Sequence, residues 1–583
     1  LFAVHLLKNF LKRKYIVGKS LGEDLSIYIP TGQSEVEGWD KYKVLCFLVS
    51  RATISVGLAS RATYISQTNV SEQGFSEEIL KRVLSEGEVK HAKDIENLDN
   101  TRIVANRDIK KEAGFPRAPE KFSYKSYYQE IKSFYENELV PIKNGITIYE
   151  GGFEEVFSDN IYHVDTGRSV MLFNNGARNV NVSNGMKHHG PFQTLVEEKL
   201  DNLSMIFIYK DSEDANTLYK YLKNGLRHFP GLESYVGIPV KPNKELSFKY
   251  SSIEKLEAEF DVYLRVKLSE SKYTQLFAYY ISPFKKDEVE GKQSEIYYKI
   301  KEGLLKKGIS SQVIASRTIH SNNFHFSLPN IAVATLAKLG GVPWKLARNE
   351  YEELIIGFGR RILTDGSFIG NTVFFDNSGL IKQISSLTPH QNNDLGSVVK
   401  KSIIEFLLQQ ASKPKRVVIH YYKPPKWKEV ETVEKALRDL GLDIPYVIIE
   451  IHDNKAKDFI CFDADYQMGM PKSGTVIRLR KRDNTYLLFN NSRYEDRPAG
   501  YVIDEYPIKV RIHHAQGVYL DEKTQIQLID QVYEFSRIYW KSIRQQSHPV
   551  TVKYAKLIAD FASKFENHAI PENEVSQTTA WFI

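Results

Sequence analysis

Apolar and polar positions change period along the chain, and each change marks an element. KYKVLCFLV (41–49) and ATISVGLA (52–59) are short apolar runs of strand character, whereas SEEILKRVLSEGEVKHA (76–92) and SYKSYYQEIKSFYENEL (123–139) space their apolar residues as helices do. An Asn- and Gly-dense stretch, NNGARNVNVSNGMKHHGPFQ (174–193), breaks the patterning and predicts a boundary. Beyond it, strands and helices alternate. LSMIFIYK, FDVYLRVKL and QLFAYYISP read as strands; DANTLYKYLKNGL reads as a helix opened by an Asp cap, and SEIYYKIKEGLLKKG as a helix stopped by Gly308. That alternation predicts an α/β layer. A second series follows, with strands in ELIIGFGRRIL, SFIGNTVFFDNSGLI, RVVIHYY, YVIIEIHD, TVIRLRK and TYLLFNN, and helices near 395–412, 427–440, 522–541 and 551–566. This block predicts a mixed sheet flanked by helices.

Length sharpens the picture. At 583 residues the chain exceeds the size of one hydrophobic core, so roughly two to four domains are expected. Hydrophobic content of 42% with 26% charged residues is that of a folded globular chain and argues against long disorder. The net charge of +7 permits a polyanionic partner without requiring one, because scattered surface lysines give the same total. With only Cys46 and Cys461, neither a disulfide framework nor a cysteine zinc site can be built, and a reducing cytoplasm is expected. No run reaches the roughly 18 apolar residues needed to cross a bilayer, so this chain is not expected to insert in a membrane. Its opening, LFAVHLLKNFLKRKY, is interrupted by charge and lacks a cleavage-site pattern. The first residue is Leu, as in a chain trimmed at its start or closed up over missing segments.

Familiar chemical motifs are mostly absent. There is no GxxxxGK[ST] phosphate loop, no GxGxxG after a strand and no HExxH, so nucleotide hydrolysis and zinc proteolysis lose their usual marks. Asp463 and Asp465 stand two apart; on a strand they would share a face and could hold a hard cation, but a turn-forming acidic loop is the simpler reading. The run RLRKRD (478–483) reads as a solvated strand face or as a phosphate contact. One constellation stands out. Tyr297 and Lys301 lie four apart on one helix face, SSQVIAS supplies Gln312, and LPNIAVATLAKLGGVPWKL ends a helix at Lys338. Two ammonium groups neutralise a terminal nucleotide phosphate, an amide gives it a directed hydrogen bond, and a ring stacks on the adjoining base. Singly, each residue has a plain structural explanation, a surface pair or a strand-edge amide. Only the combination points to a ligand.

These residues carry a family resemblance. SSQVI, LPNIAVATLAKLGGVPW and HPVTVKYAKLIADFASKF are similar to the MID and PIWI domains of prokaryotic Argonaute proteins, and NGMKHHGPFQ resembles the segment leading into MID. The likeness covers about residues 165–583 and implies a Rossmann-like MID domain (201–345) entered by a linker (161–200), and an RNase H-like PIWI domain (346–583). Residues 1–160 match loosely, in the place of the N-terminal and linker lobes, with no convincing PAZ domain.

Carried over residue by residue, the resemblance makes Tyr297, Lys301, Gln312 and Lys338 the pocket for a guide strand's 5′-phosphate. It also implies that the carboxylate of Ile583, at the end of the apolar tail TTAWFI, acts there through a divalent cation near Gln312. A carboxylate beside a phosphate repels it unless Mg²⁺ lies between them. Ala334 stands where eukaryotic members have a further lysine. In active members two Mg²⁺ ions held by carboxylates cut the target strand. By resemblance, those carboxylates belong at Gly359, Tyr422 and Lys556, none of which can replace one; Asp365 and Glu429 are the nearest acids to the first two. The resemblance therefore implies a catalytically inactive Argonaute that holds a small 5′-phosphorylated guide RNA, pairs it with complementary target DNA in prokaryotic defence, and acts through a separate effector protein. Two alternatives stay open: a target-cutting nuclease with differently placed acids, and a guide-independent nucleic-acid scaffold.

Overall fold

The computed structural model describes residues 2–583 apart from 20–24, 50–53, 59–62, 116–122, 143–150, 165–168, 269–274, 285–291, 349–352, 363–367, 388–394, 410–413, 453–459, 481–483, 494–504, 515–519 and 545. Asp365 and the end of RLRKRD lie outside these residues. The chain forms two compact units. One comprises Leu1–Tyr162 with His452–Leu479 and Leu487–Lys509; the other comprises His163–Ile451 with Arg480–Tyr486 and Val510–Ile583. The interval 346–583 thus contributes to both units.

The first unit is built on an eight-stranded sheet in the order Leu25–Gln33, Ile16–Lys19, Glu88–His91, Arg82–Ser85, Arg102–Val104, Thr63–Asn69, Trp39–Val49, Ile54–Leu58. Its core includes Leu7, Val17, Ile27, Phe47, Tyr127 and Phe134. The helix expected at SYKSYYQEIKSFYENEL is present as Tyr124–Phe134, capped by the Ser123 hydroxyl, and runs on as a wider helical turn over Tyr135–Leu139. SEEILKRVLSEGEVKHA is not a helix. It forms a short turn at Glu77–Ile79 and an antiparallel hairpin of Arg82–Ser85 with Glu88–His91. Glu86 (φ 51°) and Gly87 (φ 76°) make a two-residue turn with both φ positive, which matches strand twist.

The second unit opens with the Rossmann-like layer. Strands run in the order Phe248–Lys249, Leu203–Tyr209, Gln275–Ser282, Ser310–Ala315, all parallel. Continuous apolar runs suit strands covered on both faces, here by helices Ser212–Asn224, Ile253–Val266, Lys292–Lys306 and Leu328–Lys338. FDVYLRVKL is not a strand: all but its last two residues lie in helix Ile253–Val266, because Leu256, Phe260 and Tyr263 bury together at helical spacing. The cap of helix Ser212–Asn224 is Asp211, whose Oδ1 accepts from the Glu213 amide at 3.1 Å. Asp214 is buried instead, accepting from Ser316 Oγ at 2.5 Å and bonded to His320 Nε2 at 2.6 Å.

The first five strands of the nine-stranded RNase H-like sheet follow in the order Ile381–Leu387, Phe368–Phe375, Glu353–Ile362, Arg416–Tyr421, Tyr446–His452, the first three antiparallel and the last three parallel. Helices Leu395–Gln409 and Trp427–Asp439 cover one face through Val399, Ile403, Val433 and Leu437, packed on Leu354, Ile356, Val417 and Ile419. Helix Val550–Ala562 crosses the other face so closely that Gly357 and Gly359 have no room for a side chain: an added Cβ would lie 2.2 Å from Thr551 O and 2.3 Å from the Ala555 carbonyl carbon.

Candidate functional site

Two lysines from different helices reach the same strand. Gln312 sits on Ser310–Ala315, paired with Tyr279 of the neighbouring strand. Lys338 ends the helix Leu328–Lys338 and is 2% exposed; its Nζ donates to Ser311 O at 2.9 Å and to Gln312 Oε1 at 2.6 Å. Lys301, 4% exposed on helix Lys292–Lys306, approaches the same Ser311 carbonyl at 3.5 Å. Lys301, Gln312 and Lys338 are therefore brought together. Tyr297 lies one turn before Lys301, half-buried, with its ring edge-on to Tyr298 at 5.0 Å. Ala334 is buried within the Lys338 helix.

The end of the chain is tied to the helix that carries Lys301. Asn573 caps the helix Glu574–Thr578 and donates from Nδ2 to Leu305 O at 2.7 Å. The Glu566 amide donates to Glu302 Oε2 at 3.0 Å, and Lys306 pairs with Glu566 at 2.6 Å. Trp581 donates from its indole to Ser576 O and packs against Phe561 at 5.4 Å. Ile583 itself is 5% exposed, so the apolar tail is buried as its composition suggests. Phe561, which sequence reasoning passes over, lies under Lys301: the ammonium is 5.0 Å from its ring centroid. The only trace of it in the sequence is an aromatic at the buried spacing Tyr554, Ile558, Phe561, Phe565 of HPVTVKYAKLIADFASKF.

The three positions assigned by resemblance to the cleavage carboxylates are also neighbours. On Gly359, an added Cβ would lie 2.6 Å from the Lys556 backbone nitrogen. Strands Glu353–Ile362 and Arg416–Tyr421 run parallel with Gly357 level with His420, so Tyr422 follows at the level of Gly359. Tyr422 is half-buried and its ring is near-parallel to Phe358 at 6.3 Å. Burial pushes its hydroxyl pKa up, while Arg360 beside it pulls the other way. Lys556 is exposed. Glu429 is engaged elsewhere: it accepts from Lys423 Nζ at 2.6 Å, the Lys426 amide at 2.7 Å and Tyr421 OH at 2.9 Å. Burial opposes its ionisation, but these three donors outweigh it and hold the carboxyl below the usual range. Asp463 and Asp465 form a turn, with the Asp465 amide on Asp463 Oδ1 at 3.1 Å and Arg493 on Asp463 Oδ2 at 2.7 Å. Among the described residues, no group of three or more His, Cys, Asp or Glu side chains could hold a metal, and no helix is long and apolar enough to cross a membrane.

Residues 289–567 match the Piwi domain. A Piwi protein of Archaeoglobus fulgidus is 26% identical over 314 residues, 49% of this chain and 72% of that one. A Protein argonaute of Cereibacter sphaeroides is 23% identical over 304 residues, 46% of this chain and 38% of that one. In structure the chain is similar to Clostridium butyricum Argonaute bound to a guide DNA and a 19-mer target DNA (TM-score 0.68, 16% identity, 98% of this chain and 87% of that one). It is also similar to Marinitoga piezophila Argonaute in complex with 5′ OH guide RNA (TM-score 0.65, 14% identity, 98% and 87%). Drosophila Piwi gives a TM-score of 0.67 at 13% identity, over 100% of this chain and 86% of that one. Residues 289–567 thus resemble a Piwi domain, and the chain has an Argonaute-like α/β fold. Together with the archaeal and bacterial relatives, these similarities support a prokaryotic-type Argonaute.

Proposed function

We propose that the chain binds nucleic acid through a guide, holding the 5′-phosphate of a small RNA at Lys301, Lys338, Gln312 and Tyr297 and pairing the guide with complementary target DNA without cutting it. The observation that carries this reading is the convergence of two buried ammonium groups on the Ser311 carbonyl and Gln312. Two ammonium groups that converge in a site withdrawn from water both attract an anion placed beside them. A terminal phosphate has the charge and the acceptor oxygens to be that anion. The Argonaute-like fold supports guide-dependent binding in general, with sequence discrimination residing in base pairing and the protein contacting the backbone.

A divalent cation fits the chemistry of the donor set. Mg²⁺ is commonly held by one or two carboxylates completed by substrate phosphates. The buried Ile583 terminus would supply the carboxylate and Gln312 an amide oxygen, once Lys338 turns from it to the phosphate. When bound, the ion would screen the terminal carboxylate from the phosphate. Absence of cutting is supported by the residues at the expected carboxylate positions: Gly359 has no side chain, Tyr422 is a phenol, and Lys556 would repel a metal ion. Output would then come from an associated effector in prokaryotic defence, engaged when target is bound.

The test is to recover nucleic acid with the purified protein and label its ends before and after phosphatase. Short RNAs that accept label only after dephosphorylation support the reading. RNAs labelled without phosphatase would indicate 5′-hydroxyl ends, such as the guide RNA of the Marinitoga complex carries. Recovery of none, with no binding of synthetic guides and a flat response to salt, would defeat it, since neutralised phosphates make binding fall steeply with salt. Target cleavage in Mg²⁺ or Mn²⁺ would instead establish the nuclease alternative.

A further inference from the structure

We propose that Trp427, flanked by Lys426 and Lys428, is a contact for the target strand: the lysines meet its phosphates and the indole packs on the sugar and base between them. The inference rests on reading the chain as a guide-dependent binder of nucleic acid. Of the five tryptophans, Trp39, Trp344, Trp540 and Trp581 are each 5% exposed or less, whereas Trp427 is 65% exposed. An indole left in water forgoes the burial free energy that the other four gain. Its two chain neighbours are exposed as well, and both are cationic. Charge on either side of the ring is the reverse of a protein interface core, where charged residues are depleted. It matches a nucleic-acid strand, whose phosphates alternate with sugars and bases along the backbone.

The loop that presents the ring is held in place. Glu429 accepts from Tyr421 OH at 2.9 Å, Lys423 Nζ at 2.6 Å and the Lys426 amide at 2.7 Å. One carboxylate therefore ties strand Arg416–Tyr421, the loop and the first turn of helix Trp427–Asp439 together. Pro424 and Pro425 fix two further φ angles. A loop ordered in advance loses little conformational freedom on contact, so more of the contact energy appears as affinity. The exposed charges between 424 and 431 are Lys426, Lys428 and Glu431, and the two that adjoin the indole are positive. Position in the sheet selects the strand that is held. The loop leaves directly after Tyr422, which lies level with Gly359, and both are positions where the carboxylates that cut target would stand. A target strand that reaches this place meets the start of the loop. Here the chain would grip the target where active members cut it.

The experiment uses the full-length chain loaded with a synthetic 5′-phosphorylated guide RNA, before and after addition of a complementary DNA strand. Because the other four indoles are buried, iodide quenches the emission of Trp427 selectively, and Trp427→Phe supplies the blank. Guide alone should leave that emission accessible, and target should shield most of it. Trp427→Ala should weaken target binding about 5- to 150-fold, the range for loss of one aromatic contact with a base. Guide affinity should be unchanged, and Trp427→Phe should fall between. Replacing both Lys426 and Lys428 by Ala should lower the slope of log affinity against log salt by about 1 to 2, as phosphate contacts are lost. All three side chains are exposed, and melting curves check that each variant folds. Shielding by guide alone, equal losses for guide and target, or unchanged target affinity in Trp427→Ala would each overturn the proposal while leaving guide-dependent binding intact. If the unaltered chain fails to hold target through a guide, that reading falls, and the proposal with it.

Discussion

Replacing Gly359 by alanine should destabilise the second unit by about 2 kcal/mol, an estimate that follows from packing alone. The added methyl carbon would sit 2.3 Å from the Ala555 carbonyl carbon, 2.6 Å from its oxygen and 2.6 Å from the Lys556 nitrogen. Carbon atoms in contact prefer about 3.5–4.0 Å, so helix and strand must separate by more than an ångström. Overpacking of a well-filled core costs roughly 1–3 kcal/mol, and the upper end applies because the obstacle is backbone, which cannot rotate away. Alanine in a strand recovers about 0.5–1 kcal/mol over glycine, leaving about 2. For a unit of this size that is a fall of roughly 2–3 °C in melting temperature, measured by thermal or urea denaturation followed by circular dichroism. Ala555→Gly should not rescue it, since the three nearest atoms are all backbone. An unchanged midpoint in both Gly359→Ala and Gly357→Ala would refute the reasoning. The same clash meets the Cβ of Gly359→Asp, so carboxylates installed at Gly359, Tyr422 and Lys556 together are expected to leave target DNA uncut.

Two further expectations concern buried ionisable groups. Lys338→Met removes the ammonium that joins Ser311 O and Gln312 Oε1; loss of a charge-assisted bond of about 1–3 kcal/mol should weaken binding of a 5′-phosphorylated guide, measured by fluorescence polarisation, with the 5′-hydroxyl guide little affected, and equal losses would remove the pocket assignment. His420 is fully buried, with Nδ1 2.7 Å from Thr551 Oγ1, and burial lowers its pKa from 6.5 to about 3. Because the folded value lies below the unfolded one, the unfolded chain takes up the proton first: this stability is complete above about pH 6.5 and is lost progressively as pH falls toward 3. His420→Gln should flatten that part of the denaturation profile, and parallel profiles for the two proteins would contradict it.

What can be read from the sequence depends on how far apart the interacting residues lie. LSMIFIYK and QLFAYYISP are legible because a parallel strand covered on both faces is one continuous apolar run. FDVYLRVKL misleads because the run starts at Phe260, while the helical partner that completes its pattern, Leu256, stands outside it. SEEILKRVLSEGEVKHA misleads because the buried Leu80, Val83 and Leu84 happen to fall at i, i+3 and i+4, and the positive-φ turn at Glu86–Gly87 is marked by a single glycine. In the pocket, Lys301, Gln312 and Lys338 each sit in a local motif and can be named in advance. Phe561 cannot, since its contact with Lys301 joins segments far apart in the chain.

Gly359 shows why that difference matters for function as well as for fold. In the sequence it registers as a missing carboxylate, equivalent in kind to Tyr422 or Lys556. In the structure the three differ. Tyr422 and Lys556 already carry side chains, half-buried and exposed respectively, so an acid at either adds no atom at Cβ. Gly359 has no such space, because helix Val550–Ala562 lies against the strand along two successive glycines, Gly357 and Gly359. That close seating also fixes where Phe561 stands, five residues beyond Lys556 on the same helix. A displacement of the helix large enough to admit a side chain at Gly359 would therefore shift the ring beneath Lys301. On the proposed reading of Lys301 and Lys338 as a 5′-phosphate pocket, that pocket and the position of the first expected carboxylate are coupled through one helix, and Gly359→Ala should weaken discrimination for a 5′-phosphate along with stability. Loss of stability with discrimination intact would mean that the helix yields locally at Ala555 and leaves Phe561 where it is.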